Sequence, residues 1–196
     1  MIKLAIFDMD GTVFESHLDW LKIREELRIE KGGNILKEIY RDDCVDKVRM
    51  EILENYEKEN TLKTRPIRGI ADFLLYLTDG NVTTVLITNN NRENTYFLLK
   101  KFNLNFDLII TREMRLWKPD PDGFLYAMAE YHCKPEETIA IGDSHYDVRA
   151  SRRAHVSHIF IIKNSRFVQM IDANAEDVTY FKDYRDLKNM LPTFNI

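Results

Sequence analysis

The chain has 196 residues, of which 44% are hydrophobic and 31% charged, and its formal net charge is −4. This length fits one domain, or one domain with a modest insertion, and leaves enough apolar material for a real core. The charge is too mild to argue for nucleic acid or an anionic membrane as partner, and no apolar run approaches the ~20 residues that span a bilayer.

The chain opens on Lys3-Leu4-Ala5-Ile6-Phe7, an apolar run that ends at Asp8. Acids cut it off after a few residues, so it reads as a buried strand and not as a signal peptide. Residues 16–64 follow a different rhythm. Leu18, Leu21 and Leu27 mark one helix, and Lys31-Gly32-Gly33-Asn34 marks a stop and turn. Val45, Val48, Ile52 and Tyr56 mark a second, longer helix at i, i+3, i+7 spacing. The expectation is an all-helical insertion, with Thr64-Arg65-Pro66 returning the chain to the core.

From there strand and helix alternate. Ile70, Phe73, Leu74 and Leu77 predict a helix, and Thr84–Ile87 a strand ending at Thr88 and three asparagines. Tyr96, Phe97, Leu99 and Lys100 predict the next helix, and Leu108–Ile110 a strand ending at Thr111. Phe124–Tyr131 reads as helix, Thr138–Ile141 as a strand ending at Gly142-Asp143, and Asp147–Ala154 as helix. Ser157–Ile162 is a fifth strand, Val178–Phe181 an edge strand, and Asp183–Leu191 a closing helix. Short apolar runs without alternation suit strands covered on both faces. The fold class is therefore α/β: a Rossmann-like parallel sheet with helices on both faces, carrying a small helical insertion after the first strand. The division is a core over 1–15 and 65–196 and an inserted domain over 16–64. Cys44 and Cys133 lie far apart without metal-ligand spacing and read as reduced thiols of a cytoplasmic protein.

In parallel α/β sheets ligands sit beyond the carboxyl ends of the strands, where the polar clusters fall. Asp8-Met9-Asp10-Gly11-Thr12 leaves the first strand. Asp8 and Asp10 can supply the oxygen nucleophile and the proton donor of a phosphoryl transfer, provided a cation offsets their repulsion. At ~4 Å and an effective dielectric of ~20, that repulsion is ~4 kcal/mol. The alternative for the same residues is a turn or a helix cap. Thr88 and Asn89 offer a hydroxyl and an amide for phosphate oxygens, or a helix start at Asn90-Asn91. Lys118, in Lys118-Pro119-Asp120-Pro121, offers a cation, or an exposed loop lysine. Asp143 and Asp147 share a face and offer hard oxygens that suit Mg²⁺, or else act as N-cap and first-turn acid. Each signal is weak alone, but jointly they supply the different parts of one reaction.

These residues resemble the haloacid dehalogenase superfamily of phosphotransferases, and within it the phosphoglycolate phosphatase-like members with a small helical cap. The four motifs stand in order: Asp8-Met9-Asp10-Gly11-Thr12, then Thr88, then Lys118, then Gly142-Asp143-Ser144-x-x-Asp147. The resemblance implies a Mg²⁺-dependent phosphatase in which Asp8 becomes phosphorylated. It implies that Asp10 protonates the leaving group and then activates water. Gly11, Thr88, Asn89 and Lys118 would contact the phosphoryl group, and Lys118 would also bridge it to the nucleophile. Asp8, Asp10 and Asp143 would hold the metal, with Asp147 as a ligand or a support for one. The implied partner is a small phosphorylated metabolite, with neither nucleic acid nor membrane, for a monomer or homodimer. A phosphosugar mutase and a non-catalytic binding protein on the same scaffold are the alternatives.

Two features depart from the family's pattern. The cap is short, and His155 follows Ala154 where relatives often carry glycine, a site where a left-handed backbone is expected. In the cap, Arg24, Arg28, Lys37 and Arg41 are candidates for a substrate anion, or else solvated helix faces. His17, His145 and Trp117 are further candidates near the site, with surface or packing roles as the alternative, and Trp20, Tyr40 and Tyr56 read as cap-to-core packing.

Overall fold

The computed structural model describes residues 1–30, 32–41, 44–163, 171 and 176–194. The first strand, β1 (Leu4–Phe7), is fully buried. Its odd and even side chains divide between two hydrophobic clusters: Ala5 and Phe7 point into one, Leu4 and Ile6 into the other. A strand buried on both faces needs a parallel sheet with helices on each side. That sheet forms with β4 (Thr83–Ile87), β5 (Leu108–Ile110), β6 (Thr138–Gly142), β7 (His158–Ile162) and β8 (Val178–Phe181). The order is β5-β4-β1-β6-β7-β8, every pairing is parallel, and β1 lies between β4 and β6. The chain therefore runs outward from β1 in both directions, and the crevice at its carboxyl end is a topological switch point.

The first cluster takes Ile70, Phe73, Leu74 and Leu77 from α4 (Ile70–Asp79), Leu98 and Leu99 from α5 (Arg92–Phe102), and Tyr184 and Leu187 from α8 (Tyr184–Met190). The second takes Phe124, Ala127 and Met128 from α6 (Asp122–Glu130), and Val148 and Ala150 from α7 (His145–Arg153). Helix starts are capped as their sequences allow: Asn91 accepts from Asn94 N at 2.8 Å, and Asp183 from Arg185 N and Asp186 N at 2.9 Å. His155 has φ 59°, the left-handed backbone expected after α7.

Residues between β1 and α4 build a separate cluster from Leu18, Ile23, Leu27, Ile35, Leu36, Ile39 and Leu53. The chain enters and leaves this insertion on two adjacent segments, where Glu15 N donates to Arg65 O and Ile67 N to Val13 O, both at 2.9 Å. Its elements are α1 (Trp20–Glu26), α2 (Ile35–Ile39), a short antiparallel hairpin of β2 (Tyr40–Arg41) and β3 (Cys44–Val45), and α3 (Lys47–Lys63). The insertion is thus not all-helical. Val45 belongs to the hairpin, and Val48 is exposed. The buried stripe of α3 is Leu53, Glu57, Asn60 and Thr61, not the Val45-Val48-Ile52-Tyr56 stripe. Three of those four buried residues are polar, so hydrophobic periodicity points to the wrong face.

The predicted helix forms as α5. Its buried residues are Asn94, Thr95, Leu98 and Leu99, whereas Tyr96 and Phe97 are about half exposed. Leu98→Ala should therefore lower stability by about 2–5 kcal/mol, and Tyr96→Ala by less than about 1 kcal/mol, as read by urea denaturation.

Candidate active site

Three strand tips and the loop before α6 meet at the crevice. Asp8 is held at the tip of β1 by its backbone N–H, which donates to Ile141 O of β6 at 2.9 Å. Thr88 is held likewise at the tip of β4, donating to Ile110 O at 2.9 Å. Asp143 follows β6 directly, and Asp147 comes one turn into α7. Lys118, whose bond to Pro119 is cis, reaches in from the loop before α6. Its ammonium pairs with Asp8 Oδ1 and, at 2.7 Å, with Asp147 Oδ1. The other oxygen of Asp147 accepts from Asp143 N at 3.2 Å, Ser144 N at 3.0 Å and Ser144 Oγ at 2.7 Å. Ser144, and not Asp143, occupies the N-cap position of α7.

Carboxylate oxygens of Asp8, Asp143 and Asp147 lie within 4.8 Å of one another. Gly11 makes this approach possible: its φ is +93°, and a Cβ there would stand 2.1 Å from Asp143 Oδ2. Asp8 Oδ2 and Asp10 Oδ1 are buried and have no hydrogen-bond partner among the described residues. An unpartnered Asp8 oxygen beside the carboxylates of Asp143 and Asp147 fits a hard divalent cation. The donor set thus suits a metal ion.

A second set of side chains fixes the first. Asn90 donates to Asp10 Oδ2 at 3.0 Å, and its N–H donates to Thr88 Oγ at 3.0 Å. Asn89 clasps the main chain of Lys118, accepting from its N–H and donating to its carbonyl, both at 3.0 Å. The side chain of Asn89 therefore positions Lys118. Over these groups lies a cavity of about 310 Å³. The core lines it with Asp8, Asp10, Thr88, Lys118 and Asp143, and the insertion with Trp20, Leu21, Leu36 and Leu53.

The model of the family described as haloacid dehalogenase-like hydrolase matches residues 5–161. The chain belongs to that family. An uncharacterized hydrolase of Saccharomyces cerevisiae is 26% identical over 196 residues, covering 91% of this chain and 88% of that protein. A phosphoglycolate phosphatase of Nitrosospira multiformis is 27% identical over 206 residues, covering 89% of this chain and 90% of that protein. Among solved structures, a hydrolase from Pseudomonas syringae shares the fold with a TM-score of 0.75 at 22% identity, covering 97% of this chain and 98% of that one.

In this haloacid dehalogenase-like chain the site's charges are strongly perturbed. Burial, opposed by Lys118, pushes Asp8 up to about 7. Burial also raises Asp10, opposed by the Asn90 hydrogen bond. Burial works against the charge of Asp147 too, but the Lys118 ammonium and the Ser144 donors outweigh it and hold Asp147 below the usual range. Lys118, flanked by two carboxylates, is raised despite its burial.

Of the insertion's cations, Arg24 lines the cavity. Lys37 instead pairs with Asp120 at 2.6 Å, and Arg41 pairs with Glu38. Trp117 packs on Tyr40, with ring centroids 4.7 Å apart, and His145 lines the cavity. Sequence reading missed Asn90, Arg112 and Glu57. Asn90 is legible only as one of three asparagines ending a strand. Arg112 and Glu57 form an ion pair buried to about 2% exposure between core and insertion. Burial raises Glu57 from 4.5 to about 7; Arg112 opposes the shift, and Asp10 and Glu54 add to it.

A carboxyl raised in the fold keeps its proton longer there than in the unfolded chain. Its contribution to stability is complete below about pH 4.5 and is lost as pH rises through about 7. Glu57→Gln removes this titration. The variant should flatten the decline in metal-free stability between pH 4.5 and 7, by up to a few kcal/mol, in urea melts at a series of pH values.

Proposed function

We propose that this chain is a Mg²⁺-dependent phosphatase that hydrolyses a small phosphate monoester through an aspartyl-phosphate on Asp8. The observation that carries this reading is the meeting of Asp8, Asp143 and the Lys118 ammonium at the tips of separate strands. The names of the phosphatase relatives support the same reading.

Asp8 is the nucleophile, its carboxylate standing beside the Lys118 ammonium. The Lys118 ammonium draws the negative phosphoryl group toward a carboxylate that would otherwise repel it. The Thr88 hydroxyl already accepts from Asn90 N, which leaves its proton to donate to a phosphoryl oxygen. Burial favours the protonated form of Asp10, and Asn90 fixes its orientation. As the bond from phosphorus to the ester oxygen breaks, Asp10 gives that proton to the leaving oxygen and an alcohol departs. Asp10, now a carboxylate, takes a proton from water. The water oxygen attacks phosphorus, inorganic phosphate leaves and Asp8 is regenerated.

Asp8, Asp143 and the Asp10 carbonyl would hold Mg²⁺, with Asp147 behind them; bound there, the ion offsets the phosphoryl charge and orients the group. Asp147 is better placed to fix Lys118 and the Ser144 turn than to give up an oxygen, since both of its oxygens are already engaged. The insertion covers the phosphoryl site as a cap and faces the leaving group, so it sets the choice of substrate.

Purified protein with an aryl phosphate and Mg²⁺ should release inorganic phosphate, and Asp8→Asn should abolish the release. Asp10→Asn should slow it by about 10²–10⁴-fold. Undiminished release by Asp8→Asn would refute the mechanism. With a hexose phosphate, an isomerised sugar without net phosphate would identify a mutase in place of a phosphatase.

A further inference from the structure

The reaction above makes no use of the Glu57–Arg112 pair, although both residues line the same cavity as Asp8 and Asp10. Glu57 comes from α3 of the insertion, and Arg112 follows β5 in the core. Each guanidinium nitrogen of Arg112 makes one contact, which leaves two of its five N–H donors without a partner among the described residues. Besides Glu57, its Nε donates to Asn89 O at 3.0 Å and its Nη1 to Met50 Sδ at 3.4 Å. Glu57 gives one oxygen to Arg112, while Oε2 is buried without a hydrogen-bond partner among the described residues. A buried carboxylate oxygen with no donor is costly, and a donor brought in by a ligand removes that cost. Most of the insertion's other lining is apolar: Trp20, Leu21, Ile35, Leu36 and Leu53. Arg24 and Asn34 also line the cavity, but neither is buried, so water screens the charge of Arg24.

We propose that Glu57, backed by Arg112, is the specificity-determining residue of this site, accepting a hydrogen bond from a hydroxyl of the leaving group. The substrates are then polyol or sugar phosphates and not phosphorylated carboxylic acids. This rests on the phosphatase reading and sharpens it. Arg112 has its charge neutralised by Glu57, so it attracts an anion only weakly. A carboxylate on the leaving group would instead meet a like charge. At ~6 Å and an effective dielectric of ~20, such a pair of charges is worth about a hundredfold in discrimination, which Arg112 partly offsets. A polyol loses nothing of this kind and satisfies the orphaned oxygen. The preference therefore runs opposite to the name of the phosphoglycolate phosphatase among the relatives.

The test is steady-state kcat/KM at pH 8 with Mg²⁺ for glycerol 3-phosphate, phosphoglycolate and an aryl phosphate, using wild type and Glu57→Gln. Wild type should prefer glycerol 3-phosphate to phosphoglycolate by about tenfold or more. In Glu57→Gln the shape is kept but the negative charge is gone, which leaves Arg112 free to attract a carboxylate. The ratio should then move toward phosphoglycolate by about tenfold or more. Equal or better use of phosphoglycolate by wild type would overturn the proposal. So would an unchanged ratio in a variant whose near-ultraviolet circular dichroism matches wild type. If the variant does not fold, the wild-type ratio decides alone. Turnover of the aryl phosphate separates the two levels: its absence in wild type removes the phosphatase reading and the proposal with it, whereas its presence with the wrong ratio removes the proposal only.

Discussion

The Lys118 ammonium, wedged between Asp8 and Asp147, is the interaction on which the rest of the site depends. Four carboxylates, those of Asp8, Asp10, Asp143 and Asp147, gather at neighbouring strand tips, and Lys118 is the cation in direct contact with two of them. At such separations mutual repulsion amounts to several kcal/mol for each pair. The fold answers it in three ways. It places a lysine between two of the acids, it turns backbone N–H groups and Ser144 toward Asp147, and it leaves Asp8 and Asp10 with raised affinity for protons. The Asp8 oxygen still without a partner stands beside the carboxylates of Asp143 and Asp147, a donor set that suits a cation. The excess of negative charge is therefore what makes the site suit a divalent ion, while the Lys118 ammonium offsets part of that charge beside Asp8.

Holding that arrangement takes a rigid frame, and the hydrogen bonds show where it comes from. Asn89 locks the main chain of Lys118 on both its N–H and its carbonyl. Asn90 links Thr88 to Asp10, and Arg112 N donates back to Asn90 O at 3.0 Å. On the other side, the Tyr184 hydroxyl of α8 donates to Thr12 O at 2.9 Å and ties the loop after β1 to the buried side of the sheet. Each catalytic candidate is thus fixed by a neighbour from a different element, and misplacement of one tip would propagate to the others.

Most of the core was legible because its physics is periodic. Fully buried strands appear as uninterrupted apolar runs, and the residues that end them are polar because they leave the sheet. The tips of β1, β4 and β6 could be named in advance for this reason. The insertion was only half legible. Its hairpin uses two residues on each strand, too few to show alternation. The buried stripe of α3 carries Glu57, Asn60 and Thr61, which a search for apolar spacing discards. On α5 the polar Asn94 and Thr95 are buried while Tyr96 and Phe97 are about half exposed, so side-chain type alone does not identify its buried face. Arg112 and Glu57 lie 55 positions apart and carry no local signal; only the closed arrangement of core and insertion joins them.

That pair also bears on why the interface between insertion and core is polar at all. A buried ion pair is poor value as a stabilising device, because the desolvation of both groups consumes most of the attraction, and apolar residues of similar size would serve as well or better. The interface has apolar contacts nearby, such as Trp117 on Tyr40, so the fold was not short of that option. The pair is better explained by where it faces. Set into the wall of a cavity whose floor is strongly anionic, Arg112 moderates the field of Asp10, and Glu57 in turn keeps Arg112 from acting as a second anion trap that would compete with Lys118 for the phosphoryl group. On the proposed reading, a net-neutral pair would let a single lysine define where phosphate binds, while still offering an acceptor to the part of the substrate that leaves. Charge is thus concentrated at the strand tips and cancelled one layer above them. On that reading, this distribution would separate the phosphoryl chemistry from a choice of substrate made by the insertion.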